Sequence, residues 1–347
     1  MFKLNQRWLG LSTRVGAILL ALIITAILVL FSNANPIDVF SNILDGAFGS
    51  TDNFAHVLVS WVPLLIVTSG LLITFAAGLW NIGIEGQITL GAIFTTWVLR
   101  ALQDTTVSPA IIIILGILAG ILGGALWAAL VGWLKVYGGV NEIFGGLGLN
   151  FVATAITLWL IFGPWKRPGI GSMSGTQPFP DALSMPLIGQ TSLSIYPVII
   201  AIVGIVVIYL LLNGTYFGLR LKAVGKNMRA AFLLGIPTTR YMMLSFLICG
   251  GFAGLAGAMQ VEAVYHRLIP SISSGYGFLG LLVAMLVNYQ ALWVAPVALF
   301  FAILNTGSIQ LPIVLKLDSS LGGVLQELLV LVVLMVEGVR RRFLKKE

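Results

Sequence analysis

Residues 111–134 read IIIILGILAGILGGALWAALVGWL, a stretch of 24 residues without a charged side chain. As an α-helix it would be about 36 Å long, and the hydrocarbon core of a bilayer is about 30 Å thick. Apolar and polar residues do not alternate in this stretch, so it lacks the pattern of a membrane β-strand. Ile195–Leu212 is a second run of the same kind. Together they predict a membrane protein built from spanning α-helices.

The composition of the whole chain extends this interpretation. Of its 347 residues, 59% are hydrophobic and 9% are charged, whereas a soluble globular protein has about 25% charged residues. We therefore predict an all-α polytopic membrane protein with a single transmembrane domain over residues 1–347. About ten spans are expected, at 15–31, 57–78, 83–101, 109–134, 143–163, 194–213, 240–260, 276–289, 292–309 and 322–338. The eighth is short for a straight crossing, so we expect it to be tilted, broken or re-entrant.

The distribution of Lys and Arg predicts the orientation. If the N-terminus is inside and the spans alternate, 14 of the 19 basic residues lie inside and 5 lie outside. Basic residues collect in cytoplasmic loops, so we expect both termini on the cytoplasmic side of the cell membrane. The same rule accounts for the net charge of +7 without invoking nucleic acid. In this arrangement Glu262 lies in an outer loop.

The predicted inner loop at 214–239 contains the pattern of a short capped helix. Asn227 is a favourable N-cap, Gly235 suits the left-handed position after a helix, and Pro237 prevents continuation. Such a helix could dock a cytoplasmic ATPase, or the loop could fold onto lipid headgroups. The candidate docking residues are Met228, Ala231 and Phe232 on one side of the helix, together with Asn227, Arg229 and Gly235.

A nucleotide-binding motif is incomplete around Gly225-Lys226. A phosphate-binding loop requires G-x4-G-K-[ST], but Arg220 occupies the first glycine position and Asn227 replaces the Ser or Thr. We therefore expect no cofactor on this chain and assign ATP and Mg²⁺ to a partner ATPase. The sequence also has no metal-ligand spacing and no nucleophile–base arrangement, so we do not expect an enzyme.

Polar residues in apolar surroundings indicate a pathway for a polar solute. The segment NIGIEGQ lies between two predicted spans, and other amides lie within or beside later spans. An ion or an amide in lipid needs a protein or water partner. The candidate pathway residues are Asn81, Glu85, Gln87, Asn150 and Asn288. The structural alternative is that such Asn and Glu residues cap the helices that follow them.

Two glycine-rich segments precede spans that run in opposite directions. Asn81–Gly91 leads into the third span from inside, and Ser271–Gly280 leads into the eighth from outside. An inverted repeat of five plus five helices would produce this relation. We therefore expect a repeat of this kind.

Four short segments carry a resemblance to a known family, namely NIGIEGQ at 81–87, VNEI at 140–143, LKAVGKN at 221–227 and GYGF at 275–278. In this order they are similar to ABC importer permeases of the branched-chain amino acid and sugar permease superfamily. The similarity covers roughly residues 55–340 and looks greatest to permeases of bacterial nucleoside importers. It implies a type II ABC importer fold with a docking helix at Asn227–Gly235.

The resemblance also implies partners and a function. The partners are cytoplasmic ABC ATPase subunits, a second homologous permease in a heterodimer, an extracytoplasmic substrate-binding lipoprotein and membrane lipids. The function is ATP-driven import of a nucleoside or similar small polar solute by alternating access. A sugar or branched-chain amino acid permease remains open. An ion-coupled secondary transporter is a further alternative, but only Glu85, Glu142 and Glu327 lie near span ends as the intramembrane carboxylates it would need.

Overall fold

The computed structural model describes residues 20, 23–27, 29–31, 34–169, 175–318 and 320–344. Within these residues the regular structure is helical, which confirms the all-α prediction. The α-helices are α1 (Pro36–Phe48), α2 (Thr51–Ala76), α3 (Ile84–Leu102), α4 (Pro109–Val136), α5 (Glu142–Phe162), α6 (Ile195–Gly214), α7 (Tyr216–Lys226), α8 (Met228–Leu233), α9 (Thr238–Met259), α10 (Tyr276–Leu286), α11 (Val294–Ser308), α12 (Gln310–Val314) and α13 (Leu321–Leu344). A π-helical segment, Gln260–Tyr265, extends α9, and short 3-10 turns cover Asp181–Leu183 and Ala291–Trp293.

Six helical stretches of the described residues are long and apolar enough to cross a bilayer. They are Thr51–Ala76, Pro109–Val136, Glu142–Phe162, Ile195–Gly214, Thr238–Tyr265 and Ala291–Val314. A seventh results if the bent pair Ile23–Phe31 and Pro36–Phe48 forms one span. The chain is therefore a multi-pass membrane protein, but the predicted count of ten spans is not confirmed. Of the 17 residues in the predicted first span, 15–31, eight lie outside the described residues.

Three other predicted spans differ from the six. The span predicted at 322–338 lies in α13, whose apolar part, Leu321–Val332, is short for a crossing. α3 covers the predicted span at 83–101, but polar residues such as Glu85, Gln87 and Arg100 lower its hydropathy. α10 has 11 residues, which extend about 16 Å, or half of the hydrocarbon core. Two residues with left-handed backbone, Asn288 and Tyr289, follow its C-cap Val287. The segment at 276–289 is therefore a broken element, as its length predicted.

Two helices lie where the sequence predicted loops. α1 lies in the predicted outer loop, where the Asn35 side chain accepts a hydrogen bond from the Ile37 N–H at 3.0 Å and Pro36 occupies the first turn. α7 lies in the predicted inner loop, where the Thr215 hydroxyl accepts from the Gly218 N–H at 3.1 Å. Local capping therefore starts both helices.

Internal contacts divide the chain into two compact units. The first comprises Met1–Ser60 and Leu299–Glu347. In its described part, α1 packs against α12. The buried apolar residues of this core include Val39, Ile43, Leu311, Leu321 and Leu325.

The second unit, Trp61–Ala298, contains a tight core of α3, α4 and α9. Glycines on all three helices allow their backbones to approach closely. A Cβ added to Gly91 of α3 would overlap the backbone of Gly254 on α9, and a Cβ on Gly124 of α4 would overlap the Gly250 carbonyl oxygen. This packing holds α3 firmly in place and so fixes the position of its first turn.

Candidate functional site

A buried pair of amides holds the segment that precedes α3. Asn81 Nδ2 donates to Gln87 Oε1 at 2.9 Å, and Gln87 Nε2 donates to Asn81 Oδ1 at 2.8 Å. Asn81 Nδ2 also lies 3.1 Å from Cys249 Sγ on α9. Both amides are fully buried. Because the two amide side chains form hydrogen bonds with each other, they favour a single conformation of the turn before α3.

A residue of α5 caps the start of α3. The N-cap of α3 is Gly83, which has no side chain that can accept a hydrogen bond. Asn150 takes this role from α5, because its Oδ1 accepts from the Gly86 N–H at 2.8 Å and its Nδ2 donates to the Ile82 carbonyl at 2.9 Å. The first N–H groups of a buried helix need partners of this kind. The protein partner that the Asn150 amide requires is therefore the backbone around the start of α3.

A residue of α3 caps the start of α10 in turn. The N-cap of α10 is Gly275, which has a φ of +75° and no side-chain acceptor. Glu85 Oε1 accepts a hydrogen bond from the Phe278 N–H at 3.0 Å, and the Ser273 hydroxyl and the Gly277 N–H also bond to the carboxylate. Gly277 permits this contact, since a Cβ there would lie 2.7 Å from Oε1. Negative charge at a helix N-terminus is stabilised by the helix dipole.

The starts of α3 and α10 therefore meet around Glu85. Each start is capped by a different helix rather than by its own N-cap residue. In transporters with discontinuous helices, ends of this kind contact the solute near the middle of the membrane. The contact brings together the two glycine-rich segments, Asn81–Gly91 and Ser271–Gly280, that the sequence paired. The repeat of five plus five helices stays a prediction.

Four of the five candidate pathway residues lie at this junction. Asn81, Glu85, Gln87 and Asn150 are 0–8% exposed, so none of them lines an open channel in this conformation. Asn288 lies at the opposite end of α10, with a φ of +51°. A path past the junction requires a movement that separates α3 from α10. The pathway role of these five residues stays a prediction.

An indole that no sequence pattern indicated lies beside the junction. Trp127 Nε1 on α4 is buried and has no hydrogen-bond partner among the described residues. A Cβ on Gly86 would lie 2.8 Å from this nitrogen and 3.0 Å from Asn150 Oδ1, so Gly86 allows the indole to approach. A buried donor without a partner costs about 1–3 kcal/mol. A solute acceptor or a water molecule at this point would remove that cost.

A charged pair lies at the start of α5. Asn141 caps the helix, since its Oδ1 accepts from the Ile143 N–H at 2.9 Å. Glu142 Oε2 lies 2.7 Å from Lys135 Nζ at the end of α4, with side-chain exposures of 10% and 28%. The pair joins α4 to α5. Glu142 therefore has a structural partner in Lys135.

Glu262 does not lie in an outer loop, and that prediction was wrong. It lies in the π-helical segment that extends α9, within the apolar stretch Thr238–Tyr265. The residue is 1% exposed, and neither carboxyl oxygen has a hydrogen-bond partner among the described residues. The span predicted at 240–260 ends about one turn before the helical stretch does, at Tyr265. A carboxyl group is thus buried inside a candidate span.

The predicted capped helix forms as α8. The Asn227 side chain accepts from a backbone N–H of the first turn at 3.0 Å. At the other end, the Gly235 N–H donates to the Phe232 carbonyl at 2.9 Å and the Ile236 N–H donates to the Ala231 carbonyl at 3.0 Å. With a φ of +80° at Gly235, this is a Schellman motif. Both ends of this six-residue helix are therefore stabilised locally.

The outer side of α8 is apolar. Met228, Phe232 and Leu233 are 44%, 65% and 78% exposed, and Arg229 is exposed beside them. Ala231 differs from the expectation, because it is 2% exposed and faces the protein. Exposed Met and aromatic side chains are common in protein interfaces. The exposed apolar surface of α8 thus comprises Met228, Phe232 and Leu233, whereas Ala231 packs against the rest of the protein.

A backbone contact joins the end of α7 to the segment before α3. A Cβ on Gly225 would overlap the Ala76 carbonyl oxygen, and a Cβ on Gly78 would lie 3.0 Å from the Gly225 carbonyl oxygen. Gly78 also has a φ of +74°. Asn227 begins α8 two residues after Gly225, and Asn81 follows Gly78 by three residues. Short pieces of chain therefore connect α8 to the junction.

Comparison with known proteins identifies the class of this protein. Residues 53–336 match the family described as the branched-chain amino acid transport system / permease component. The chain belongs to this family, which confirms the resemblance found in its sequence. It is a transmembrane permease subunit of an ABC transporter and not an enzyme.

Similar proteins have names that include both sugars and nucleosides. The glucose ABC transporter permease protein TsgB13 of Haloferax volcanii is 30% identical and covers 96% of this chain and 90% of its own length. The guanosine ABC transporter permease protein NupP of Bacillus subtilis is 28% identical and covers 86% of this chain and 85% of its own. NupQ of the same organism, also a guanosine ABC transporter permease protein, is 28% identical and covers 73% of this chain and 80% of its own.

Proposed function

We propose that this chain is one of two related permease subunits in an ATP-driven importer of nucleosides. The similarity to permeases named for guanosine supports a nucleoside as the solute. Two such proteins of one organism match the same chain, which supports a heterodimeric permease core. The remaining partners are cytoplasmic ATPase subunits, which bind ATP and Mg²⁺, and an extracytoplasmic substrate-binding lipoprotein. Both termini lie on the cytoplasmic side of the cell membrane.

A sugar is the second candidate solute. The permease named for glucose is 30% identical to this chain. Nucleosides and sugars share hydroxyl groups, and both need hydrogen-bonding partners along an apolar path. A branched-chain amino acid carries two charges at neutral pH and is therefore a less suitable solute for a junction that already holds Glu85.

The contact between Gly225 and Gly78 is the observation that carries the mechanism. The ATPase subunit binds the apolar surface of α8, formed by Met228, Phe232 and Leu233. ATP binding moves α8, and α7 moves with it. Because no side chain separates Gly225 from Gly78, this movement reaches Asn81 and the start of α3 directly. The starts of α3 and α10 then separate, and the path opens to one side of the membrane at a time.

Uptake measurements test the solute. A strain that lacks this chain is supplied with radiolabelled guanosine, glucose or leucine, with and without the chain restored. We expect restored uptake of guanosine that unlabelled nucleosides suppress and glucose does not. Restoration of glucose uptake alone would replace the nucleoside with a sugar and leave the ABC permease assignment intact.

Affinity purification tests the docking surface. Phe232→Ala removes an apolar side chain from α8, and Leu219→Ala on α7 is a matched control because both residues are 65% exposed. We expect Phe232→Ala to reduce co-purification of the ATPase about tenfold or more, which is the loss of a contact worth about 1.4 kcal/mol. Leu219→Ala should have little effect. Equal losses for the two variants would contradict docking at α8.

A further inference from the structure

Glu262 presents a carboxyl group that the transport mechanism above does not use. Its side chain extends toward α4, where a Cβ on Gly116 would overlap Oε1. The Thr95 hydroxyl of α3 donates to the Gly116 carbonyl at 2.9 Å and so does not serve the carboxyl group. Both carboxyl oxygens are buried and lack hydrogen-bond partners among the described residues. Glycine at 116 is therefore needed to make room for a group that has no visible partner.

The charged side chains around the Glu262 carboxyl group do not form an ion pair with it. Several ionisable side chains lie on the elements that pack around it: Glu85 and Arg100 on α3, Lys135 on α4, Arg240, Tyr241 and Cys249 on α9, Asp181 on the covering segment, and Tyr265, His266 and Arg267 at the end of the π-helical segment and after it. Glu85 caps α10 and Lys135 pairs with Glu142. Arg100 lies over the Trp165 ring at 5.5 Å, and His266 Nδ1 lies 2.9 Å from the Ser184 hydroxyl. Neither ion pair of the described residues includes Glu262. An isolated buried carboxylate costs several kcal/mol, and this cost disappears when the group takes up a proton.

A short segment, residues 175–185, covers this region. Its backbone runs alongside residues 262–268 in space. The Thr176 N–H donates to the Leu268 carbonyl at 2.9 Å, and the Phe179 N–H donates to the His266 carbonyl at 2.8 Å. Its last bond runs from the Met185 N–H to the carbonyl oxygen of Glu262 itself, at 3.1 Å. The segment is therefore attached to the residue whose side chain lacks a partner.

Apolar side chains of the covering segment exclude water from the same region. Phe179 and Leu183 are 6% and 4% exposed, and they belong to one buried cluster with Ile112 and Val261. Ile112 lies one turn from Gly116, and Val261 precedes Glu262. Removal of the segment would therefore admit water to the carboxyl group.

We propose that Glu262 is a proton-binding site that couples closure of the 175–185 segment to protonation. When the segment is closed, the side chain is a neutral carboxylic acid. When the segment opens, water reaches the group, the O–H bond breaks and the proton passes to solvent. Closure is therefore favoured at low pH and becomes weaker as the pH rises, by up to tenfold in its equilibrium constant per pH unit for one proton.

Cysteine labelling of the full chain in lipid nanodiscs tests this proposal. Leu183→Cys places a thiol in the buried cluster, where maleimide reaches it only when the segment opens. Ala182→Cys, at the adjacent exposed position, reports the intrinsic pH dependence of the thiol reaction. The measured quantity is the labelling rate of Leu183→Cys divided by that of Ala182→Cys, at pH values from 7.5 to 9.5. Phe179→Cys replaces Leu183→Cys if that variant does not fold.

The choice of this pH range separates Glu262 from His266. Partial burial lowers the pKa of His266, so this ring is neutral above pH 7.5 in the closed state and close to neutral in the open state. We expect the ratio to rise with pH across the range, by up to tenfold per pH unit. In a Glu262→Gln background, which imitates the neutral acid, the ratio should stay low and independent of pH.

Two results would overturn the proposal. The first is the same rise in both backgrounds, which would assign the pH dependence to another group. The second is a ratio that responds to Na⁺ at constant pH and not to pH, which would make Glu262 a metal-cation ligand. The native Cys249 is fully buried, and the unsubstituted chain measures its background.

Discussion

Replacement of Glu85 tests the contact between the starts of α3 and α10. Glu85→Ala leaves the N–H groups of Gly277 and Phe278 without an acceptor in a buried position. Each unpaired donor costs about 1–3 kcal/mol, and some relaxation of α10 reduces the total to about 3 kcal/mol. For a unit of this size, 1 kcal/mol shifts the melting temperature by about 2–4 °C. We therefore expect Tm to fall by about 6–12 °C.

Glu85→Gln is the matched control. Its amide oxygen can still accept the bond from the Phe278 N–H, so this buried donor keeps a partner. The expected cost is about 1 kcal/mol, or a fall of about 2–4 °C in Tm. Gly277→Ala approaches the same contact from the other side, because its Cβ would lie 2.7 Å from Glu85 Oε1. It should resemble Glu85→Ala.

The assay is thermal unfolding of the full chain in nanodiscs, followed by tryptophan fluorescence. Gly148→Ala provides a baseline, since a Cβ at that position meets no atom within 4 Å. The reasoning fails if Glu85→Ala and Glu85→Gln lower Tm equally, because the hydrogen-bond acceptor would then be irrelevant. It also fails if Gly277→Ala behaves like Gly148→Ala.

Three further substitutions test other contacts. Gly254→Ala should lower the free energy of unfolding by about 1–3 kcal/mol through overpacking. Gly251→Ala on the same helix should change it little, since the atom nearest to its Cβ would be 3.5 Å away. Chemical denaturation compares the two variants, and equal losses of free energy would contradict the tight core. Gly225→Ala should preserve ATP hydrolysis by the assembled transporter and reduce uptake severalfold, whereas the control Gly214→Ala should leave both unchanged. Unchanged uptake by the Gly225→Ala variant would contradict the proposed link to Gly78. Gly235→Ala should weaken ATPase binding severalfold, because a left-handed residue with a Cβ costs about 1–2 kcal/mol; unchanged binding in a pull-down titration would separate the cap from docking.

Local signals in the sequence predicted the short capped helix α8 well, and its docking role stays a prediction. Its N-cap, its length and its left-handed glycine depend on residues within about ten positions, so Asn227 and Gly235 carry the information directly. The broken segment at 276–289 was predictable from its length in the same way. Membership of the permease family was also predictable, because the resemblance depends on four short segments that occur in a fixed order.

Contacts between distant helices account for what the sequence did not predict. Asn150 and Glu85 were recognised as polar residues that need partners, but their partners are backbone groups 64 and 193 residues away. Ala231 was placed on the docking surface because helical periodicity does not reveal which side faces α7 and α9. The basic composition of α7 resembles a loop, so its helix was missed. Glu262 was assigned to a loop because a charged residue ordinarily ends an apolar run.

The cap that Glu85 provides has a consequence for evolutionary comparison and for chimera design. Its partner at position 278 is a main-chain N–H, which every amino acid except proline supplies. The side chain at 278 can therefore change freely without breaking the bond, and paired substitutions at 85 and 278 would not arise. Methods that infer contacts from correlated changes would overlook this one. A chimera that exchanges one helix between relatives keeps the bond if an acidic residue stays at 85 and proline stays absent from 278.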